Sequence, residues 1–190
     1  MRSAVRRLER LRRVAPPGAG AWWDRASAEV RGEARANGFP PHAFAAVVAI
    51  LSPRRRWERN VSDALRATLV VCGREGVTSW PPMVTNKQKA QVHTALRVPG
   101  FVPTGPKVSV FYWLLVEPRM PMVCVDRHIC EAVFGRPLVN GKGRERGPTL
   151  GERRFAVRAV HKAALARGEE VQRFQAAVWE VVRSVGVGEL

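Results

Sequence analysis

The stretch GPKVSVFYWLLVEPRMPMVCVDRH, Gly105 to His128, decides how this chain reads. Gly-Pro-Lys opens an apolar run, Val108 to Val116, that reads as a helix. Pro118 and Pro121 break it, and a second apolar run, Met122 to Val125, ends in Asp126. Lys107 and Asp126 bracket this apolar material. A lysine that loses hydration becomes a better nucleophile, because burial disfavours its charged form. A carboxylate in a partly dry setting can stabilise a cation developing beside it. One amine and one carboxylate therefore suit chemistry at a sugar carbon that becomes cationic. The same two residues also read as a solvated lysine in a first helical turn and an aspartate that merely caps the next helix.

Working outward, the N-terminal side reads as a series of helices. Residues 1–14 place Val5, Leu8 and Leu11 three apart, with arginines on the other faces, until Pro16-Pro17-Gly18 stops the pattern. Residues 21–36 put Trp22, Ala26 and Val30 on one side. His42 to Leu51 is apolar all round, which predicts a central buried helix, broken by Ser52-Pro53. The basic segment Arg54-Arg55-Arg56-Trp57-Glu58-Arg59-Asn60 follows. It reads either as a solvated helix start with a core tryptophan or as a nucleic-acid contact in which Trp57 stacks on a base. Residues 61–72 form the next helix, with Val61, Leu65, Thr68, Leu69 and Cys72 at helical spacing and Gly73 at its end. Residues 84–97 form another, capped by Thr85 or Asn86 and made basic by Lys87, Lys89, His93 and Arg97.

On the C-terminal side, Arg127 to Gly135 is a helix capped by Asp126. The Gly- and Arg-rich stretch 136–151 reads as a long loop, either a surface excursion or a nucleic-acid contact. Two closing helices, 152–167 and 169–185, are parted by Gly168; Trp179 reads as a core aromatic at the edge of the second. No strand and no internal repeat emerges. The expectation is an all-α protein of nine or ten helices.

Composition narrows the partner. Against 16 acidic residues stand 32 basic ones, a net charge of +16, and lysine occurs only at 87, 89, 107, 142 and 162. A GC-rich coding bias accounts for arginine over lysine but not for the excess of positive charge. Arginine suits bidentate phosphate contacts, and this charge favours a polyanion. No apolar stretch approaches the roughly 18 residues of a membrane span. Cys72, Cys124 and Cys130 have no metal-ligand spacing, and a sparse, odd count suits a reducing compartment. With no secretory signal in view, a cytoplasmic or nucleoid-associated protein of bacterial or phage origin is expected.

Gly105-Pro106-Lys107, an apolar helix and then Val125-Asp126-Arg127-His128 resemble the core signature of the helix-hairpin-helix DNA glycosylases, with Asp126 to Ile129 most like the 8-oxoguanine branch. The lysine-to-aspartate spacing of 19 positions also agrees with that pattern. The resemblance covers about residues 45–135. The family hairpin usually reads Leu-Pro-Gly-x-Gly; here Phe101-Val-Pro-Thr-Gly105 keeps only the second glycine in register. The resemblance implies two helical lobes, residues 38–118 forming a barrel with the hairpin and residues 1–37 plus 119–190 forming the other, with a cleft for a flipped base. It implies Lys107 as nucleophile and Asp126 as its electrostatic partner in base excision, with possible strand cutting through a lysine Schiff base. Arg54 falls where the family inserts a polar wedge. Thr104 and Gly105 fall in the phosphate-gripping hairpin, Lys87 lies on the basic helix that forms one of its arms, and Arg127 and His128 position phosphate of the double-stranded DNA or pack the cleft. Phe111, Trp113 and Met122 are candidate pocket walls or core residues. No metal or cofactor is implied, since three cysteines cannot carry the four-cysteine cluster of some members, and a monomer is expected. Two alternatives share the fold: a transferase that modifies a base and leaves the strand intact, and a DNA-binding module without chemistry.

Overall fold

The computed structural model describes residues 1–53 and 55–185, and over these the protein is all-helical. It contains α1 (Arg2–Arg13), α2 (Trp22–Ala36), α3 (Pro41–Leu51), α4 (Trp57–Val71), α5 (Asn86–Arg97), α6 (Val108–Val116), α7 (Arg127–Phe134), α8 (Leu150–Ala166) and α9 (Val171–Val185). A 3-10 turn, Ala19–Ala21, precedes α2. Among the described residues there is no strand, and the one β-type pairing is an isolated antiparallel bridge between Val139 and Glu145.

The chain divides into two compact units, Arg25–Pro118 and Met1–Asp24 with Arg119–Leu190, so the division falls within the first turn of α2. Arg25–Pro118 is built around α3. Phe44 to Leu51 are buried without a break, as expected for a helix apolar on every side, and α4, α5 and α6 pack against it. The last carbonyls of a helix have no partner within it. Here side chains of the neighbouring helices supply donors. Asn60 Nδ2 donates to the Val48 carbonyl at 3.0 Å, and Gln88 Nε2 to that of Ile50 at 3.0 Å. Gln88 also completes a capping box with Thr85, so one side chain both starts α5 and ties it to the end of α3.

The face that α4 buries differs from the expected stripe. Asn60, Val61, Asp63, Ala64, Ala67 and Thr68 are buried, whereas Leu65 and Leu69 are half-buried and Cys72 is exposed. The physical reason is polar. Buried Asp63 is held by Arg55 and Arg59, the latter at 3.0 Å, and Asn60 must reach α3. These bonds orient the helix more strongly than its leucines do. The helix also begins at Trp57, four residues before the expected start.

In the other unit, α1, α7, α8 and α9 share one core containing Leu8, Leu11, Ile129, Val133, Val160, Phe174 and Val178. Ala4 takes the buried place on α1 that the spacing assigned to Val5, which packs at the edge of this core. Gly135 ends α7 with φ of 67°, and a Cβ there would meet the Arg7 guanidinium at 2.5 Å. That guanidinium donates to the Val133 carbonyl at 2.6 Å. The 136–151 stretch is more structured than a free loop. Leu138 is buried, and Arg146 grips Glu152 through two hydrogen bonds of 2.6 and 2.7 Å. This fork, followed by the backbone bond from Thr149, holds the Glu152 carboxyl down to about 2.

Candidate functional site

Asp126 is set by the unit it belongs to. The residues before it, Val123, Cys124 and Val125, are buried and belong to no helix or strand. A buried segment outside helix and sheet must find other partners for its backbone groups. Gln175 on α9 fills this need, accepting from the Cys124 N–H at 2.9 Å and donating to the Cys124 carbonyl at 3.1 Å. Arg153 on α8 donates to the Val125 carbonyl at 2.6 Å. The chain thus enters α7 along a fixed path, and Asp126 caps that helix by accepting from the Ile129 N–H at 2.9 Å. Its second oxygen accepts from Trp179 Nε1 at 2.8 Å. Trp179 lies 5.3 Å from the Trp22 ring, with the Arg183 guanidinium 5.0 Å from its centroid. The result is a half-buried carboxylate with both oxygens oriented.

Trp179, Gln175 and Arg153 were not singled out as site residues from the sequence. The available signal was Gln175 itself, a polar residue within the apolar stripe of α9. Buried amides need partners, and Trp179 lies four residues on, along the same helix face.

Lys107 belongs to Arg25–Pro118, at the residue that opens α6. The preceding turn needs Gly105, whose φ is 116°. The Gly105 carbonyl accepts from both the backbone N–H and the hydroxyl of Ser109, at 3.0 and 2.8 Å, which starts the helix. Thr104 is exposed, and its hydroxyl accepts from Gln91 at 3.2 Å. Lys107 Nζ lies 6.0 Å from the Phe111 ring centroid, and Phe111 in turn lies 6.5 Å from Trp57. The structure therefore brings together three residues singled out separately in the sequence: Lys107, Phe111 and Trp57. Trp57 Nε1 donates to Glu29 at 2.7 Å. Lys87 is exposed in the first turn of α5. Arg54 lies outside the described residues.

Arg127 and His128 occupy the first turn of α7. Arg127 pairs with Glu145 and stands 3.6 Å from Glu131; His128 Nδ1 also stands 3.6 Å from Glu131. Trp113 and Met122 are half-buried. Cys130 is buried, which pushes its thiol up to about 12 and leaves it no reactive thiolate at neutral pH. Among the described residues no three His, Cys, Asp or Glu side chains are grouped to hold a metal ion, and no helix is long and apolar enough to cross a membrane.

Positive charge is shared by both units. Met1–Asp24 with Arg119–Leu190 carries 19 basic against 10 acidic residues, and Arg25–Pro118 carries 13 against 6. The surplus is therefore not confined to the arginine-rich N-terminus.

The chain belongs to the DUF7178 family, a family of unknown function whose model matches residues 16–185. Searches of curated proteins and of solved structures gave no match.

Proposed function

We propose that this DUF7178 protein binds DNA and excises a base from it, with Lys107 as nucleophile and Asp126 as the electrostatic partner. The observation that carries the reading is the Asp126 carboxylate. It is half-buried, follows a pinned apolar segment and is held at both oxygens by Ile129 and Trp179. An acceptor positioned before the reaction stabilises a developing cation without having to reorganise. The order of Lys107 and Asp126 along the chain, each at the start of a helix, and the net charge of +16 support the same reading.

In this chemistry the free Lys107 amine attacks the sugar C1′, the bond from C1′ to the base breaks, and the base leaves with the bonding electrons and takes up a proton. The attached Lys107 nitrogen gives up a proton, the C1′–O4′ bond breaks with a proton taken up at O4′, and a ring-opened Schiff base forms. This loses a 2′ proton, and the C3′–O bond breaks to cut the strand. Positive charge at C1′ is greatest in the first step, which is where Asp126 contributes. Trp57, with Phe111 beside Lys107, supports the unstacked state of the nucleotide.

Borohydride trapping against a panel of oligonucleotides, each with one damaged or modified base, tests this. Lys107→Gln should abolish the covalent complex and leave DNA affinity nearly unchanged. Excision at the normal rate in Lys107→Gln would make water the nucleophile. A DNA-binding module without chemistry is the second reading, favoured by the capping bonds that engage both Asp126 oxygens. It is established if no base in the panel is released while DNA still binds. An intact strand with a new substituent would instead identify a base-modifying transferase.

A further inference from the structure

A cavity of about 700 Å³ lies within Arg25–Pro118, where the residues after α3 and the start of α4 face the approach to α5. Its charged lining consists of Arg55, Arg56, Arg59 and Asp63, and its apolar lining of Pro53, Pro82 and Met83. Three guanidinium groups against one carboxylate leave a surplus of two positive charges.

The four charged groups are not equivalent. Asp63 is buried and bound by Arg55 and by Arg59 Nε. Arg55 is half-buried, its side chain 9% exposed, and it donates to the Pro82 carbonyl at 3.0 Å. Burial, and then the charge of Arg59, lower the Arg55 pKa from its usual value. The Arg59 side chain is 59% exposed and meets Asp63 through Nε, leaving its two terminal nitrogens for a ligand. Arg56 is exposed and has no carboxylate partner among the described residues. At the rim, Met83 is 83% exposed and held at a φ of 62°, a conformation that non-glycine residues rarely adopt and that tends to mark functional positions. The Ser52 hydroxyl, at the root of the same loop, is buried without a hydrogen-bond partner among the described residues.

We propose that this cavity binds a phosphate monoester. A phosphomonoester dianion matches the surplus of two charges, whereas an internal phosphodiester carries only one. Arg56 and the terminal nitrogens of Arg59 take its oxygens, since guanidinium groups bind phosphate through paired N–H donors. Met83, Pro53 and Pro82 supply the apolar contact for the attached sugar or base. Two sources share this chemistry, a strand end and a free nucleotide. Breaking the C3′–O bond leaves the departing oxygen on the downstream strand as a 5′-phosphate, so a strand end is the ligand that strand cutting would create. That identity rests on the base-excision reading; the phosphate site rests on the cavity alone.

The test uses the full chain in equilibrium binding at fixed ionic strength. A short single-stranded oligonucleotide with a 5′-phosphate is compared with the same oligonucleotide bearing a 5′-hydroxyl, and dAMP with deoxyadenosine. The phosphorylated member of a pair should bind about tenfold tighter or more, the usual value of hydrogen bonds to a charged group. Arg56→Gln should abolish that preference and Arg59→Gln should reduce it, while thermal unfolding of each variant verifies the fold. Arg55 and Asp63 are left intact, because their pairing is buried. Arg158→Gln removes the same charge from an exposed position on α8 and should keep the preference. A preference confined to the oligonucleotide pair assigns a strand end, and one shown equally by dAMP assigns a free nucleotide. Lys107→Gln should retain the preference even if no base is ever excised, so failure of the glycosylase chemistry is distinguishable from failure of the phosphate site. No preference in either pair, or a preference that survives in Arg56→Gln, overturns the proposal.

Discussion

Replacing Asp126 by Asn separates its structural role from its chemical one. Asn caps helices about as well as Asp, so with its carbonyl oxygen toward the Ile129 N–H the start of α7 is preserved. The side-chain amide nitrogen then faces Trp179 Nε1, donor against donor, where the native pair has a 2.8 Å bond. A hydrogen bond to a charged acceptor contributes about 1.5–3 kcal/mol, and the half-buried setting of both residues places this one near the lower end. Asp126→Asn should therefore cost about 1.5–2 kcal/mol in urea unfolding. In a chain of this length that corresponds to a melting shift of roughly 3–8 °C. Trp179→Phe should cost a similar amount. The double variant removes donor and acceptor together, and should recover about 1–1.5 kcal/mol relative to the sum of the single losses. Base excision should behave differently. A neutral amide cannot stabilise the developing cation, so Asp126→Asn should slow release by about a hundredfold or more, and adding Trp179→Phe should restore none of it. Strictly additive unfolding energies would refute Asp126 and Trp179 as an energetic pair. An undiminished excision rate in Asp126→Asn would refute the electrostatic role.

Four further outcomes are expected. DNA affinity should fall steeply with salt, log K declining by about 0.9 per phosphate neutralised for each tenfold rise in salt on duplex DNA; a flat salt dependence would contradict a phosphate-dominated interface. Asp63→Ala should destabilise the fold by about 1–3 kcal/mol, because it takes from the half-buried Arg55 the buried carboxylate that holds it; chemical denaturation measures this. The Glu152 carboxyl lies near 2, held down first by Arg146 and then by Thr149, against an ordinary 4.5. Its contribution to stability is complete above pH 4.5 and is lost as pH falls toward 2, so acid unfolding of Glu152→Gln should lack that component. In the folded protein a maleimide should label exposed Cys72 rapidly and leave buried Cys124 and Cys130 unmodified until denaturant is added.

Much of the helical framework was legible locally. An apolar run without a polar face predicts α3 as the buried helix, and Ser52-Pro53 ends it. Thr85 before Gln88 and Asp126 before the apolar face of α7 mark helix starts through bonds spanning only three residues. Such features depend on near neighbours in the chain, and the residues present are sufficient to encode them. Tertiary structure alone decided how those helices are turned and what surrounds the site residues. α4 buries Asn60 and Asp63 in preference to Leu65 because the partners of those polar groups lie on α3 and in the preceding loop. Gln175 meets Cys124 across 51 residues, and Trp179 meets Asp126 across 53. Helical spacing places Gln175 and Trp179 on one face of α9 but cannot say which distant backbone or carboxylate that face meets. That pairing is set by the requirement that buried polar groups find partners, which is met only when separate segments pack together.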